Sequence, residues 1–193
     1  MPALTYERHS DRINKNDIGD IYMNEIHAVI EFTDGKTVNL ELYPEAAPET
    51  VKNFADLARK GFYDGLCMHR VIPGFMIQGG GMTYEKNKLV PKKAPRNIVG
   101  EFTANGRKND IKHKAGVISM ARTAVPDSAS SQFFICVEDC PHLDGQYAAF
   151  GKVTDARSLD AAVEISNVPT RSVDWYDDVP VTPVVIKTVS ITD

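Results

Sequence analysis

The chain has 193 residues, of which 42% are hydrophobic and 25% charged, a composition typical of one globular domain. Its 22 basic and 26 acidic side chains give a net charge of −4, which argues against electrostatic recruitment to nucleic acid or to a membrane surface. No apolar run approaches the roughly 18 residues of a membrane span, and the first residues lack the apolar core of a signal peptide. We therefore expect a cytoplasmic protein, and we expect it to be a monomer.

The first elements are predicted by composition and by turn residues. Residues 1–25 are polar with only short apolar pairs, so we expect an N-terminal extension followed by a domain over residues 26–193. Two β-rich runs then flank Asp34-Gly35, the dipeptide best suited to a tight type I′ hairpin. Pro48 opens a helical pattern, and Gly61 is expected to end that helix.

The rest of the chain alternates between short apolar runs and polar connections. Residues 83–97 are rich in Lys and Pro and predict a long surface loop. A second helix is predicted over 158–165, with Ser158 as its N-cap. Strand-like runs occur twice within 65–78 and again at 98–102, 116–121, 132–137, 147–153 and 184–191. About eight strands and two helices fit a closed antiparallel barrel.

Cysteines and histidines give no sign of a metal or disulfide framework. Cys67, Cys136 and Cys140 are too few for such a framework, and none forms a C-x-x-C pair, so we expect buried free thiols. The five histidines show no i, i+4 pairing, and no metal site is predicted.

The most informative stretch covers residues 67–81 and reads CMHRVIPGFMIQGGG. It places Arg70 close to the apolar Phe75 and Met76 and to the amide of Gln78. Strand alternation predicts Phe75 and Ile77 on one face, with Met76 and Gln78 on the other. A guanidinium beside an apolar floor is typical of a pocket rather than of a core.

Three motifs in the chain resemble one protein family. The stretch HRVIPGFMIQGG is followed by ISMAR at 118–122 with SQFFI at 131–135, and then by LDGQY at 143–147 with FGKV at 150–153. In this order they resemble the cyclophilin-type peptidyl-prolyl cis-trans isomerases, in particular bacterial-type members. The resemblance implies a mainly β fold: a closed eight-stranded antiparallel cyclophilin-like barrel with two helices packed at its ends.

The resemblance also implies a reaction. Rotation about an X–Pro bond breaks amide resonance, a barrier of roughly 18–20 kcal/mol for ordinary peptides, and it makes or breaks no covalent bond. An enzyme that accelerates this rotation during protein folding needs no cofactor, and its expected partners are proline-containing peptides and unfolded or folding proteins. In the twisted state the prolyl nitrogen becomes a better hydrogen-bond acceptor, and preferential binding of that state lowers the barrier.

Site residues are carried over from the family by position. The resemblance implies a catalytic set of Arg70, Phe75 and Gln78. It implies contact with substrate for a larger set, namely His69, Met76, Ala121, Arg122, Gln132, Phe134, His142, Leu143 and Tyr147. Periodicity alone would make the apolar members core residues, and the two glutamines are either structural or orient Arg70 and the substrate. Strand alternation predicts that Phe133, the neighbour of Phe134, points the opposite way into the barrel.

Two rim positions depart from the family pattern. His142 stands where the family often has Trp, and Tyr147 stands where it often has His. These changes predict weak binding of cyclosporin-like cyclic peptides rather than a loss of activity.

Two other functions compete with catalysis. A proline-peptide binding or chaperone module could use the same barrel without turnover, and a small-molecule carrier could use its lumen. The presence of Arg70 together with Phe75, Gln78 and Phe134 favours catalysis. The bulky Phe and Ile residues argue against an open lumen.

Overall fold

The computed structural model describes residues 26–192. The polar extension expected over residues 1–25 lies outside these residues. Within 26–192 no helix is long and apolar enough to cross a membrane.

Strands dominate the described chain, with two helices between them. The helices are α1 (Pro48–Arg59) and α2 (Ala156–Ser166). The strands are β1 (Ile26–Phe32), β2 (Thr37–Leu42), β3 (Cys67–Met68), β4 (Arg70–Ile72), β5 (Met76–Gly79), β6 (Met82–Glu85), β7 (Lys88–Pro91), β8 (Val117–Met120), β9 (Phe133–Cys136), β10 (Ala149–Val153), β11 (Thr170–Val173), β12 (Tyr176–Pro180) and β13 (Val184–Thr192).

The main sheet closes on itself through one interrupted strand. Its order is β3-β13-β1-β2-β10-β8-β9-β5-β4, and every neighbouring pair is antiparallel. The first and last strands of this order, β3 and β4, are separated in the chain only by His69, whose N–H donates to the Gln78 carbonyl at 2.9 Å. β3 and β4 thus act as one interrupted strand. The sheet therefore forms an antiparallel barrel of eight strands, which confirms the predicted fold.

Side chains fill the interior of the barrel. The ring centroid of Phe54 in α1 lies 5.6 Å from that of Phe133 and 5.3 Å from that of Phe150. Phe133 and Phe150 are both fully buried. Residues of α2, including Ala162 and Ile165, belong to the same continuous apolar cluster. Both helices thus pack on one core whose bulky residues occupy the lumen.

The first hairpin is not the predicted type I′ turn. Gly35 has a left-handed φ of 90°, whereas Asp34 has no positive φ. The Gly35 N–H donates to the Phe32 carbonyl at 3.1 Å, so the loop is a type I turn followed by a left-handed glycine. The Asp34 carboxylate accepts from the backbone N–H of Lys36 at 3.0 Å and thereby stabilises this alternative.

A second hairpin occupies the segment that was predicted to be a long loop. Strands β6 and β7 pair directly, and the two residues between them, Lys86 and Asn87, have φ of 49° and 65°. This is the conformation of a type I′ turn, so the loop prediction is wrong for residues 83–91 and holds for residues 92–97. The strand predicted at 98–102 is also wrong, since only an isolated bridge joins Ile98 to Ala129.

Helix α2 begins earlier than predicted. Asp155 is its N-cap, and the Asp155 carboxylate accepts from the Ser158 N–H at 2.9 Å. Ser158 lies inside the first turn, and its hydroxyl accepts from the Asn39 N–H at 2.9 Å. An aspartate three residues before the serine caps the helix, so the prediction of Ser158 as the cap is wrong.

One further hairpin was not predicted from the sequence. Strands β11 and β12 pair antiparallel, and their buried Val173 and Val179 pack with Cys67, Met82 and Leu89 in a small separate cluster. The hairpin is thus attached to the barrel beside β3 and β4.

The three cysteines agree with the prediction of buried free thiols. Cys67, Cys136 and Cys140 are all buried and free, and burial raises the pKa of the Cys67 thiol to about 12.

Candidate active site

A cavity of about 140 Å³ lies on the outer face of the barrel where the three sequence motifs meet, and it is called the first cavity below. Its lining is Arg70, Phe75, Met76, Gln78, Ala121, Arg122, Phe134, Leu143 and Tyr147. The structure thus brings together nine of the residues that were predicted to form the site. His69, Gln132 and His142, which were predicted to contact substrate, do not line it.

Strand register places the main polar and apolar groups in one row. Arg70 on β4 lies opposite Gln78 on β5, and Gln78 lies opposite Phe134 on β9. Directly opposed residues of antiparallel strands project on the same face, so these three side chains are neighbours. Phe133, one residue earlier on β9, belongs to the interior core, as strand alternation predicted.

Phe75 lies on the pocket side together with Met76, which corrects the prediction that it shares a face with Ile77. It precedes β5, and its N–H donates to the Ile72 carbonyl at 3.1 Å within the turn between β4 and β5. Strand alternation therefore does not apply to it. Its ring packs on His142 with centroids 5.4 Å apart, which places the exposed His142 at the outer rim.

A buried histidine supports the aromatic floor of the cavity. His113 stacks on Phe134 with centroids 6.1 Å apart and an angle of 16°. Its Nε2 lies 3.1 Å from the Ser119 hydroxyl, and its Nδ1 lies 3.3 Å from an Asp144 carboxylate oxygen. Burial lowers the pKa of His113, although the Asp144 carboxylate opposes this effect. The sequence pattern does not connect these residues, because Asp144 is 31 positions away from His113.

Arg122 is a fixed part of the wall. Its Nε and Nη2 donate to the Gln146 carbonyl at 3.1 and 2.8 Å, and its Nη1 donates to the Thr123 carbonyl at 2.9 Å. The guanidinium carbon lies 4.8 Å from the ring centroid of Phe102 and 4.7 Å from that of Tyr147. The neighbouring Ala121 N–H already donates to the Gln132 carbonyl at 2.9 Å, so a bound peptide would have to use other groups of this segment.

Gln78 is oriented from behind by two residues outside the cavity. Its Nε2 donates to the Gln132 Oε1 at 3.0 Å and lies 3.5 Å from the His69 Nε2. His69 is only 4% exposed, and burial lowers its pKa to about 4, so its ring is neutral at pH 7. His69 and Gln132 thus position Gln78 rather than line the first cavity.

Arg70 has one ionic neighbour within residues 26–192. Its Nε lies 3.5 Å from an Asp178 carboxylate oxygen, and the Arg70 side chain is 44% exposed. Asp178, on the β11–β12 hairpin, was given no role from the sequence. The contact uses the Nε side of the guanidinium and leaves the two Nη groups for other acceptors.

Comparison with known proteins agrees with this geometry. The family profile described as "Cyclophilin type peptidyl-prolyl cis-trans isomerase/CLD" matches residues 27–191. The chain is 44% identical to "Peptidyl-prolyl cis-trans isomerase A" of Dickeya dadantii over 84% of this chain and 83% of that protein. It is 46% identical to "Peptidyl-prolyl cis-trans isomerase B" of Bacillus subtilis over 69% of this chain and 86% of that protein.

Solved structures show the same likeness. A cyclophilin-type peptidyl-prolyl cis-trans isomerase of Cryptosporidium parvum superposes with a TM-score of 0.70 at 26% identity, over 88% of this chain and 98% of its own. A second structure of the Cryptosporidium parvum isomerase, in the presence of the dipeptide Ala-Pro, gives a TM-score of 0.68 at 27% identity, over 86% and 99%. Sequence, fold and relatives agree, and the chain belongs to the cyclophilin-type peptidyl-prolyl cis-trans isomerase family.

Proposed function

We propose that the first cavity holds the proline ring of a substrate polypeptide while Arg70 stabilises the twisted X–Pro amide. The substrates are proline-containing peptides and unfolded or folding proteins. One observation carries the proposal: a half-exposed guanidinium stands on the rim of a cavity whose floor is apolar and aromatic. The cytoplasmic location and the monomeric state stay predictions from the sequence.

The apolar residues would bind the part of the substrate that does not react. A proline ring has no N–H and little polarity, and the buried side chains of Met76, Phe134 and Leu143 offer it an apolar surface. The structure of the Cryptosporidium parvum isomerase in the presence of Ala-Pro supports a ligand of this class. Fixing the ring leaves rotation of the preceding residue as the remaining motion.

Arg70 would act on the rotating bond itself. When the amide twists, the nitrogen lone pair is no longer delocalised and accepts a hydrogen bond more readily. The Nη groups of Arg70 can donate to that nitrogen and to a neighbouring carbonyl together, because the guanidinium fork is planar and rigid. Gln78 stands opposite Arg70 and would hold the substrate backbone, since Gln132 fixes the Gln78 amide.

Exchange spectroscopy on a short X–Pro peptide tests this role for Arg70. Arg70→Ala should lower kcat/KM at least tenfold, a loss of about 1.4 kcal/mol of transition-state stabilisation. Arg70→Lys should also lose activity, because an ammonium lacks the fork. Arg157→Ala, at an exposed position on α2, is the matched control for the loss of one positive charge.

Two outcomes would contradict the proposal. Unchanged turnover in a folded Arg70→Ala protein would remove Arg70 from the mechanism. Binding of the peptide by the unaltered protein without faster exchange would favour a binding or chaperone module on the same barrel.

A further inference from the structure

A second cavity, of about 410 Å³, lies on the other side of Arg70 and Gln78. These two residues line both cavities, so they form the ridge that separates them. The outer wall of the second cavity is the β11–β12 hairpin, which contributes Trp175, Tyr176, Asp177 and Asp178. A polypeptide whose proline occupies the first cavity would pass directly beside the second.

The hairpin presents its carboxylates from a fixed backbone. Asp174 and Asp178 have φ of 52° and 60°, a left-handed conformation that aspartate tolerates better than most residues. The buried Val173 and Val179 anchor the two strands to the barrel, and the Arg171 guanidinium donates to the Tyr84 hydroxyl of β6. The fold therefore holds the hairpin beside the barrel, with Asp178 against Arg70.

The lining of the second cavity carries a net negative charge. Asp178 shares the Arg70 guanidinium through a 3.5 Å contact, and Asp177 accepts a hydrogen bond of 2.6 Å from the neutral Ser172 hydroxyl. His69 adds no charge, because burial lowers its pKa to about 4. Two carboxylates thus line this cavity with one guanidinium, and a cationic ligand would neutralise the excess negative charge.

An exposed aromatic ring stands beside these carboxylates. Trp175 is 85% exposed, the most exposed large hydrophobic residue within 26–192, and it lines the same cavity. An indole face attracts a lysine ammonium or an arginine guanidinium by a cation–π interaction. The combination of indole and carboxylates therefore matches a long cationic side chain with an apolar stem.

We propose that the second cavity is a substrate subsite for a lysine or arginine side chain near the isomerised proline. The inference rests on the proposed function, since it assumes that the first cavity binds the proline. It assigns a substrate preference to the β11–β12 hairpin, which lies outside the three sequence motifs. The isomerase would accordingly favour X–Pro sites in basic segments of its substrates.

A positional series of peptides tests the preference. Each peptide has one X–Pro bond and one variable residue at a chosen distance before or after it, occupied by Lys, by norleucine or by Glu. At one such position, we expect kcat/KM for Lys to exceed that for norleucine by about three- to tenfold, with Glu below both. Equal values for Lys and norleucine at every position would overturn the inference, although the isomerase activity itself would stand.

Two variants locate the effect in the hairpin. In Asp177→Asn and in Trp175→Ala, the ratio of the Lys value to the norleucine value should fall towards one. Asp160→Asn, at an exposed position on α2, removes the same charge elsewhere and should keep the wild-type ratio. If Asp160→Asn lowers the ratio as much as Asp177→Asn, the preference comes from the overall charge of −4, and the subsite proposal is wrong.

Fluorescence gives a direct binding measurement, because Trp175 is the only tryptophan of the chain. Saturating Lys peptide should change the intensity and position of its emission, and the matching norleucine peptide should change them much less. An identical response to both peptides would overturn the inference. Absence of exchange with every peptide would instead overturn the proposed function, so the two failures are distinguishable.

Discussion

His69 lies buried behind the ridge of Arg70 and Gln78, and its protonation is coupled to folding. Burial lowers its pKa from the ordinary 6.5 to about 4. Between these values the unfolded chain binds a proton that the folded chain does not bind. The neutral buried ring therefore does not reduce stability above about pH 6.5. As the pH falls from there towards 4, the free energy of unfolding decreases progressively.

The substitution His69→Gln tests this coupling. Between pH 7 and pH 4 the wild-type protein should lose about 3 kcal/mol more stability than the variant, at roughly 1.4 kcal/mol per unit of pKa. His113, whose pKa is also lowered by burial, keeps part of the pH dependence in both proteins. Denaturant unfolding at a series of pH values gives the comparison. Parallel curves for the two proteins would show that His69 protonates equally in both states.

His142 is expected to affect the binding of cyclosporin-like cyclic peptides. Its exposed ring packs on Phe75 at the rim and does not line the first cavity. A cyclosporin-like cyclic peptide spans more of the rim than a short substrate does, and an indole would offer it a larger apolar face than an imidazole. His142→Trp should therefore tighten cyclosporin binding by about 1–3 kcal/mol and leave turnover of short X–Pro peptides nearly unchanged.

Titration calorimetry with cyclosporin, beside exchange rates for a short peptide, checks this expectation. His142→Phe is a matched variant, because it adds an apolar face without the indole N–H. Tight cyclosporin binding by the unaltered protein would contradict the predicted role of this position.

Among the elements, α2 depends on a single capping aspartate. The Asp155 carboxylate accepts hydrogen bonds from the Asn39 amide, the Ser158 N–H and the Ser158 hydroxyl, and these lower its pKa to about 2. The capping contribution is complete above the unfolded pKa near 4 and is lost as the pH falls through about 2.

Asp155→Ala should lower the Tm by about 2–4 °C at pH 7, because it removes the cap and the link to β2. Asp155→Asn retains a capping oxygen and should restore most of that loss without restoring the acid-dependent part. Calorimetric scans of the three proteins at pH 7 and pH 3 separate the two effects. A Tm for Asp155→Ala equal to that of the wild type would show that α2 needs no cap.

The sequence predicted the elements whose local pattern is regular. Phe133 and Phe134 were assigned to opposite faces because β9 is a regular strand, and the structure places Phe133 in the core and Phe134 at the cavity. Phe75 was assigned to the wrong face because it belongs to a turn, where alternation does not hold. In the same way, the type I′ turn was expected at Asp34-Gly35 and lies instead at Lys86-Asn87.

What the sequence could not predict depends on contacts between distant segments. Asp178 reaches Arg70 only because β12 packs beside β4, and its left-handed backbone leaves no periodic pattern. The position of His113 beneath Phe134 likewise depends on Asp144 and Ser119. Such groups are identified by geometry, since neither residue type nor spacing marks them.

On the scale of the whole molecule, the barrel is complete within the described residues. β1 begins at Ile26 and is paired on both sides, by β13 and by β2. Deletion of residues 1–24 should therefore leave the Tm within about 2 °C and kcat/KM within about twofold of the full chain. Calorimetry and peptide exchange on both proteins give the comparison. A truncated protein that is insoluble or melts several degrees lower would show that the deleted segment belongs to the fold.

The split closing strand has a consequence for how the enzyme comes into being on the ribosome. Cys67 and Met68 of β3 pair with Val185 and Val184 of β13, the most C-terminal of the described strands. A nascent chain that ends before β13 already contains every residue that lines the first cavity, yet β3 then has no partner strand and β1 is paired on one side only. Such a chain has the residues of the candidate active site but not the closed barrel that positions them. We therefore expect the barrel to close, and full isomerase activity to appear, only after β13 has left the ribosome.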